Sequence, residues 1–266
     1  MKKCFFVITV AVVLAGLAIG LAGCGPNAET IAKNAMRAEK DIKTVHFEVS
    51  STVKLPRAPI QEGQVAKQEY VQASEGDIDL ETGNYRVKTE LTPGVPITAM
   101  QVGDKLYTQV AGNWYEMPAS FQLPAPVTQS LSISQYLKYF KSLTKEGNSR
   151  VEGEACYHLK AVPDMEELIK LPGITDLLKD SSGNQVRTVD ELKDLKATFD
   201  FYIRVKDYYF KMSAGDVEVR ATEDIIKQGY AEPGDKVTMT QEAVLSDYNA
   251  KLNLAAPASV KPWPGQ

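Results

Sequence analysis

The chain has 266 residues, with 30 Lys and Arg against 34 Asp and Glu and a formal net charge of −4. That acidic balance argues against nucleic acid as a partner and leaves no polybasic patch for anionic lipid headgroups. The two histidines, His46 and His158, sit far apart in strand-like runs, so no metal site of the His/Cys type and no cofactor is expected.

Lys2 and Lys3 precede a nearly continuous apolar run over 5–21, the layout of a secretory leader. The run is also close to the roughly 20 residues that span a bilayer. The small residues that step down to a thiol in Leu21-Ala22-Gly23-Cys24 favour a cleaved leader, because a retained anchor helix has no use for them. This four-residue pattern resembles the bacterial lipobox, in which the cysteine receives a diacylglyceryl group and the leader is cut just before it. A thiolate suits thioether formation. On this reading 1–23 is a signal peptide, 24–27 a lipidated tether and 28–266 the folded domain. Cys24 then holds the exported protein on the outer face of the cell membrane, with palmitate-type chains giving the second acyl signal that stable anchoring needs. The mature charge becomes −6, Cys156 is the one thiol left free, and no intrachain disulfide can form.

From 28 to 42, Ile31, Ala35, Ala38 and Ile42 recur at helical spacing, with Asn27 as N-cap and Glu29 in the first turn. After Lys43 the period becomes 2. Val45, Phe47, Val49, Ser51 and Val53 alternate with polar residues and predict a half-buried strand. Strands follow over 69–80, 85–91, 97–102, 105–110 and 114–117, separated by Thr82-Gly83-Asn84, Pro93-Gly94, Gly103-Asp104 and Gly112-Asn113. This first half reads as an antiparallel meander. Pro118, Pro124 and Pro126 make an irregular crossing. Tyr136, Leu137, Phe140 and Leu143 predict a helix over 130–144, ended by Gly147-Asn148. A strand over 156–162 leads to short helical pieces over 164–171 and 174–178, broken at Pro172-Gly173, and to an acidic helical turn over 188–195. Phe199, Phe201, Ile203 and Val205 share a face of the next strand. Past the Lys206-Asp207 turn, Tyr208, Phe210 and Met212 share a face, and Val217, Val219 and Ala221 continue it. After Glu232-Pro233-Gly234-Asp235 comes a strand over 237–245, and the Pro-rich 255–266 is expected to lie extended on the surface.

Acid–base catalysis needs carboxylates in contrasting environments. Glu166 with Glu167 and Asp176 with Asp180 lie in charged, loop-rich sequence and read as solvated faces. His46 and His158 read as packed strand histidines, Cys156 as a small buried hydrophobe. No glycine run cradles phosphate, and no catalytic residue is assigned. What the chain does offer is one-sided apolar sheet with few, short helices to cover it. Those helices either plug that side as a dry core or stand off and leave a cavity for a ligand.

Val102-Gly103-Asp104-Lys105-Leu106-Tyr107 followed by Trp114 looks like a central hairpin of a known family. Val151-Glu152-Gly153 with Tyr157-His158-Leu159, and Ser246-Asp247-Tyr248-Asn249 leading to Ala256-Pro257-Ala258, look like its later strands. With the order cysteine, helix, meander, helical insertion and closing strands, the chain resembles the LolA-type fold and its mycobacterial relatives, the LppX and LprG lipoproteins. The resemblance implies an α+β fold, a curved antiparallel half-barrel sheet with helices across its concave face and acyl chains between. It also implies non-covalent carriage or presentation of lipid, with no bond made or broken. A chain with its own anchor is expected to handle lipid near one membrane. Phe47, Val49, Tyr85, Val87, Phe199, Phe201 and Phe210 are the expected ligand-facing residues, and 164–180 the expected lid. The alternative is a structural or sensory envelope lipoprotein with a plugged sheet that binds a protein partner.

Overall fold

Asn27 begins the first helix as its position predicts: its side-chain oxygen accepts from the Thr30 amide at 2.8 Å, satisfying one orphan donor of α1, Ala28–Ala38. Ile31, Ala32 and Ala35 form the buried stripe of α1, and a 3-10 turn at Glu39–Asp41 delivers the chain to the sheet. The computed structural model describes residues 25–57, 69–91, 96–118, 139–168, 195–221, 223–227 and 229–263. Cys24, the leader, residues 130–138 of the expected helix and most of the expected lid lie outside the described residues.

Six strands follow α1, namely β1 Thr44–Lys54, β2 Glu69–Asp79, β3 Tyr85–Leu91, β4 Ile97–Val102, β5 Lys105–Val110 and β6 Asn113–Glu116. The second half holds β7 Phe140–Val151, β8 Glu154–Pro163, α2 Met165–Leu168, β9 Lys196–Arg204, β10 Phe210–Arg220, α3 Glu223–Lys227, β11 Lys236–Ser246 and β12 Lys261–Pro262. The twelve strands of the described residues form one sheet in the order β12-β6-β5-β4-β3-β2-β1-β11-β10-β9-β8-β7. Every pairing is antiparallel except β12 with β6. The sheet is thus two meanders joined where β1 meets β11, in register from His46 opposite Ser246 to Lys54 opposite Thr238. It is large, curved and unclosed, with β7 and β12 as its edges among the described residues.

Three expectations change. Residues 140–144 are not helical but open β7, and Gly147 lies inside that strand rather than ending a helix. Two register shifts, at Phe140/Ser142 and Lys145/Gly147, break the alternation that would have marked a strand. Phe210 and Met212 do not share a face, because Lys211 is an extra residue in β10: Phe210 pairs with Ile203 while Met212 pairs with Tyr202. Tyr208 falls in the preceding turn at a φ of 63°. In the Pro-rich tail, Lys261–Pro262 adds a parallel pairing to β6, with Trp263 edge-on to Tyr115 at 5.8 Å. Of helices against the sheet, the described residues hold α1 and two pieces of five residues or fewer, α2 and α3.

Candidate functional site

Strand alternation puts Val45, Phe47 and Val49 of β1 on one face, opposite Ile78, Gly76 and Ser74 of β2 and, for the last two, Leu245 and Ala243 of β11. The same registers carry that face to Tyr85 and Val87 of β3 and to Phe199, Phe201 and Phe210 of β9 and β10. All seven expected ligand-facing residues therefore meet in one apolar cluster. Phe47, Tyr85, Phe201 and Phe210 are buried in it, and Val49, Val87 and Phe199 pack against it half-buried. Phe201 stands edge-on to Phe210 at 6.2 Å and lies 5.7 Å from Phe140, within the range of favourable ring pairs.

Sequence reasoning did not bring α1 and β8 to this cluster. Ile31 and Ala35 of α1 plug it from above, and Tyr157, Leu159 and Ala161 of β8 extend it sideways. The alternation of Tyr157, Leu159 and Ala161 was the available signal. Glycine sits opposite two of the rings. A Cβ on Gly76 would lie 2.8 Å from the Phe47 ring and 2.3 Å from the Arg86 carbonyl oxygen, and one on Gly215 would lie 2.9 Å from the Phe199 ring. Each ring thus occupies the space a side chain would need on the facing strand.

Packing is uneven along the strands. Beneath α1 the face is closed, Phe47 and Ile31 being wholly buried. Toward the other end, Tyr70, Ile97 and Met239 are 38%, 40% and 38% exposed, although register places all three on the Phe47 face. A hollow of about 470 Å³ lies over the same end of β9, β10 and β11, lined by Lys196, Thr198, Asp216, Glu218, Thr238 and Thr240, which register places on the opposite face, with Ala197, Val217 and Met239 between them.

The opposite face is polar. His46 Nδ1 lies 2.8 Å from Asp77, which also accepts from Arg86 at 2.9 Å, and Lys88 lies 3.3 Å from Glu75. His158 faces Asp200 at 2.6 Å and stacks on Tyr202. Among the described residues no group of three or more His, Cys, Asp or Glu is placed to hold a metal ion. Cys156 is fully buried, and burial pushes its thiol above the usual range.

Arg204 anchors a charged network at the sheet end nearest the β9–β10 turn. Its Nε donates to Asp207 at 2.9 Å, and its guanidinium lies 5.3 Å and 5.1 Å from the Tyr209 and Tyr248 rings. Lys211, 4% exposed, reaches Glu152 at 2.5 Å and donates to the Leu245 carbonyl at 3.4 Å. Burial alone would raise the Asp207 carboxyl, but Arg204 and the Tyr209 amide hold it below the usual carboxylate range. A depressed folded-state value stabilises the fold above the unfolded value, and that stability is lost as pH falls through the folded one. Asp207→Asn should therefore lower the thermal midpoint at pH 7 and shrink the drop between pH 5 and pH 2 measured by circular dichroism (a window around the roughly 3.9 of an unperturbed aspartate). An unchanged acid limb would remove Asp207 from the account.

The described residues contain no helix long and apolar enough to cross a membrane. A family model described as a family of unknown function, DUF6612, matches residues 27–262. Among solved structures, lipoprotein LppX of Mycobacterium tuberculosis is similar over 85% of this chain and 96% of that one, at 9% identity and a TM-score of 0.50. LprF of Mycobacterium bovis is similar over 87% and 97%, at 13% identity and a TM-score of 0.51. The chain thus has the LppX-like fold that its motifs suggest. A human relative, Superkiller complex protein 3, is 28% identical over 163 residues, which are 53% of this chain and 10% of that protein. The chain spans about a tenth of that relative's length.

Proposed function

We infer, from the premise that the chain belongs to the DUF6612 family, that it is a membrane-anchored envelope lipoprotein that holds acyl chains of a lipid against the apolar face of its sheet. Residues 1–23 are its leader, Cys24 its lipid anchor, 24–27 its tether and 28–266 its domain. Phe47, Val49, Tyr85, Val87, Phe199, Phe201 and Phe210 form the floor against which the guest packs, directly at the open end and through their neighbours beneath α1. No bond is made or broken in such a role.

The observation that carries this reading is the uneven packing of one continuous apolar face. A sheet that needed only a dry core would cover Tyr70, Ile97 and Met239 as it covers Phe47. Among the described residues it does not, and that end of the face stays open.

Native mass spectrometry of protein purified without detergent is expected to show a bound lipid, displaceable by a fluorescent fatty acid. Met239→Ala, which removes apolar contact at the open end of the face, should weaken probe binding about tenfold, since losing two methylenes at about 0.8 kcal/mol each costs that much. Absence of both bound lipid and probe uptake would sink the reading. An intact mass lacking the diacylglyceryl increment on Cys24 would sink the anchor separately.

A further inference from the structure

We propose that the β7 edge is the surface that faces the membrane, against the phospholipid headgroups of the bilayer holding the anchor. This rests on the reading of Cys24 as acylated. Gly25 and Pro26, next in sequence to that cysteine, lie on β7. Lys145 Nζ donates to the Pro26 carbonyl at 3.3 Å while sitting 5.2 Å from the Tyr157 ring, and a Cβ on Gly25 would meet the same Nζ at 2.9 Å. From there α1 is held in the core by Ile31 and Ala35. Residues 25 and 26 therefore cannot swing away from β7 without breaking that packing. One peptide unit, about 3.8 Å between Cα atoms, separates Gly25 from the cysteine, so two acyl chains on Cys24 draw the bilayer surface to this edge.

Two features of β7 suit that neighbour. Among the described residues its outer side has no strand beside it, and an open row of backbone donors and acceptors invites pairing with another chain unless something covers it. A hydrated headgroup layer excludes such a chain and still satisfies the row. β7 also carries Lys141, Lys145 and Arg150 against Glu146 alone, whereas β2 carries Glu69, Glu75, Asp77 and Asp79 and no cation. In a chain of net charge −4, the cationic edge is the one beside the anchor. The acyl chains supply the affinity, and the cations set which side turns down.

The test uses full-length acylated protein on vesicles of phosphatidylcholine and phosphatidylglycerol carrying a headgroup nitroxide lipid. A fluorophore is placed at Ser142→Cys on β7 or at Asp104→Cys in the β4–β5 turn, and the buried Cys156 stays unlabelled. The expected result is flotation of both proteins, loss of fluorescence at position 142 and none at position 104. Adding Lys141→Glu with Arg150→Glu should reduce the loss at 142 while flotation persists. Flotation with equal loss at both positions, or loss at 104 alone, overturns the orientation and leaves the anchor standing. Loss at 142 that ignores the charge reversal overturns the headgroup contact. Protein that fails to float overturns the anchor and the orientation together.

Discussion

Phe47→Ala is expected to lower the stability of the protein by about 3–5 kcal/mol, the usual cost of emptying a ring-sized site in a packed core. Phe47 is wholly buried, and its ring lies over Gly76 on one side with Leu245 across the strand on the other. Gly76 has no side chain to rotate into the void, and Ile31 is already held in the core by α1. At about 2–4 °C per kcal/mol for a domain of this size, the thermal midpoint should fall by roughly 10 °C. Met239→Ala, at the open end of the same face, should cost under about 1 kcal/mol, because little packing is there to lose. Urea unfolding of the two variants decides the matter. Equal costs would mean that the face is packed alike at both ends, and lipid carriage would lose its main support.

The two glycines that face rings should respond differently to rescue. Gly76→Ala forces its new methyl to 2.3 Å from a backbone oxygen, that of Arg86, and backbone shifts of this kind cost about 1–3 kcal/mol or more. Shrinking the ring with Phe47→Leu cannot help, since the carbonyl remains. Gly215→Ala meets only the half-buried Phe199 ring, at 2.9 Å and 3.0 Å, so Phe199→Leu should recover most of the loss. Double-mutant cycles are expected to give a coupling of about 0.5–3 kcal/mol for the Gly215–Phe199 pair and near zero for Gly76–Phe47. The reverse pattern would show that the Phe47 ring, not the strand beside it, sets the curvature there.

How much of this was legible depends on where each strand lies. β1, β3 and β9 are interior strands with one buried face, so Val45, Phe47 and Val49, or Phe199, Phe201 and Ile203, alternate cleanly. β7 is an edge strand, and its two irregularities leave Phe140 and Leu143 at a spacing that a helix fits as well. Lys211 inverts β10 for the same reason, by adding a residue that only pairing can reveal. α1 was readable because its cap and stripe are local. The Arg204 network was not, because Tyr248 reaches Arg204 only after β11 has returned to the middle of the sheet. Nor do Gly76 and Gly215 mean anything until the ring on the neighbouring strand is known.

The seam between β1 and β11 joins residues some two hundred positions apart, Phe47 with Leu245. Non-local pairings of that kind slow folding, since the loop-closure entropy precedes the reward. A chain made amino end first therefore shows its β1 margin unmated until β11, Lys236–Ser246, has emerged. Until then the two meanders have no common seam, and trimming that strand would leave both halves orphaned.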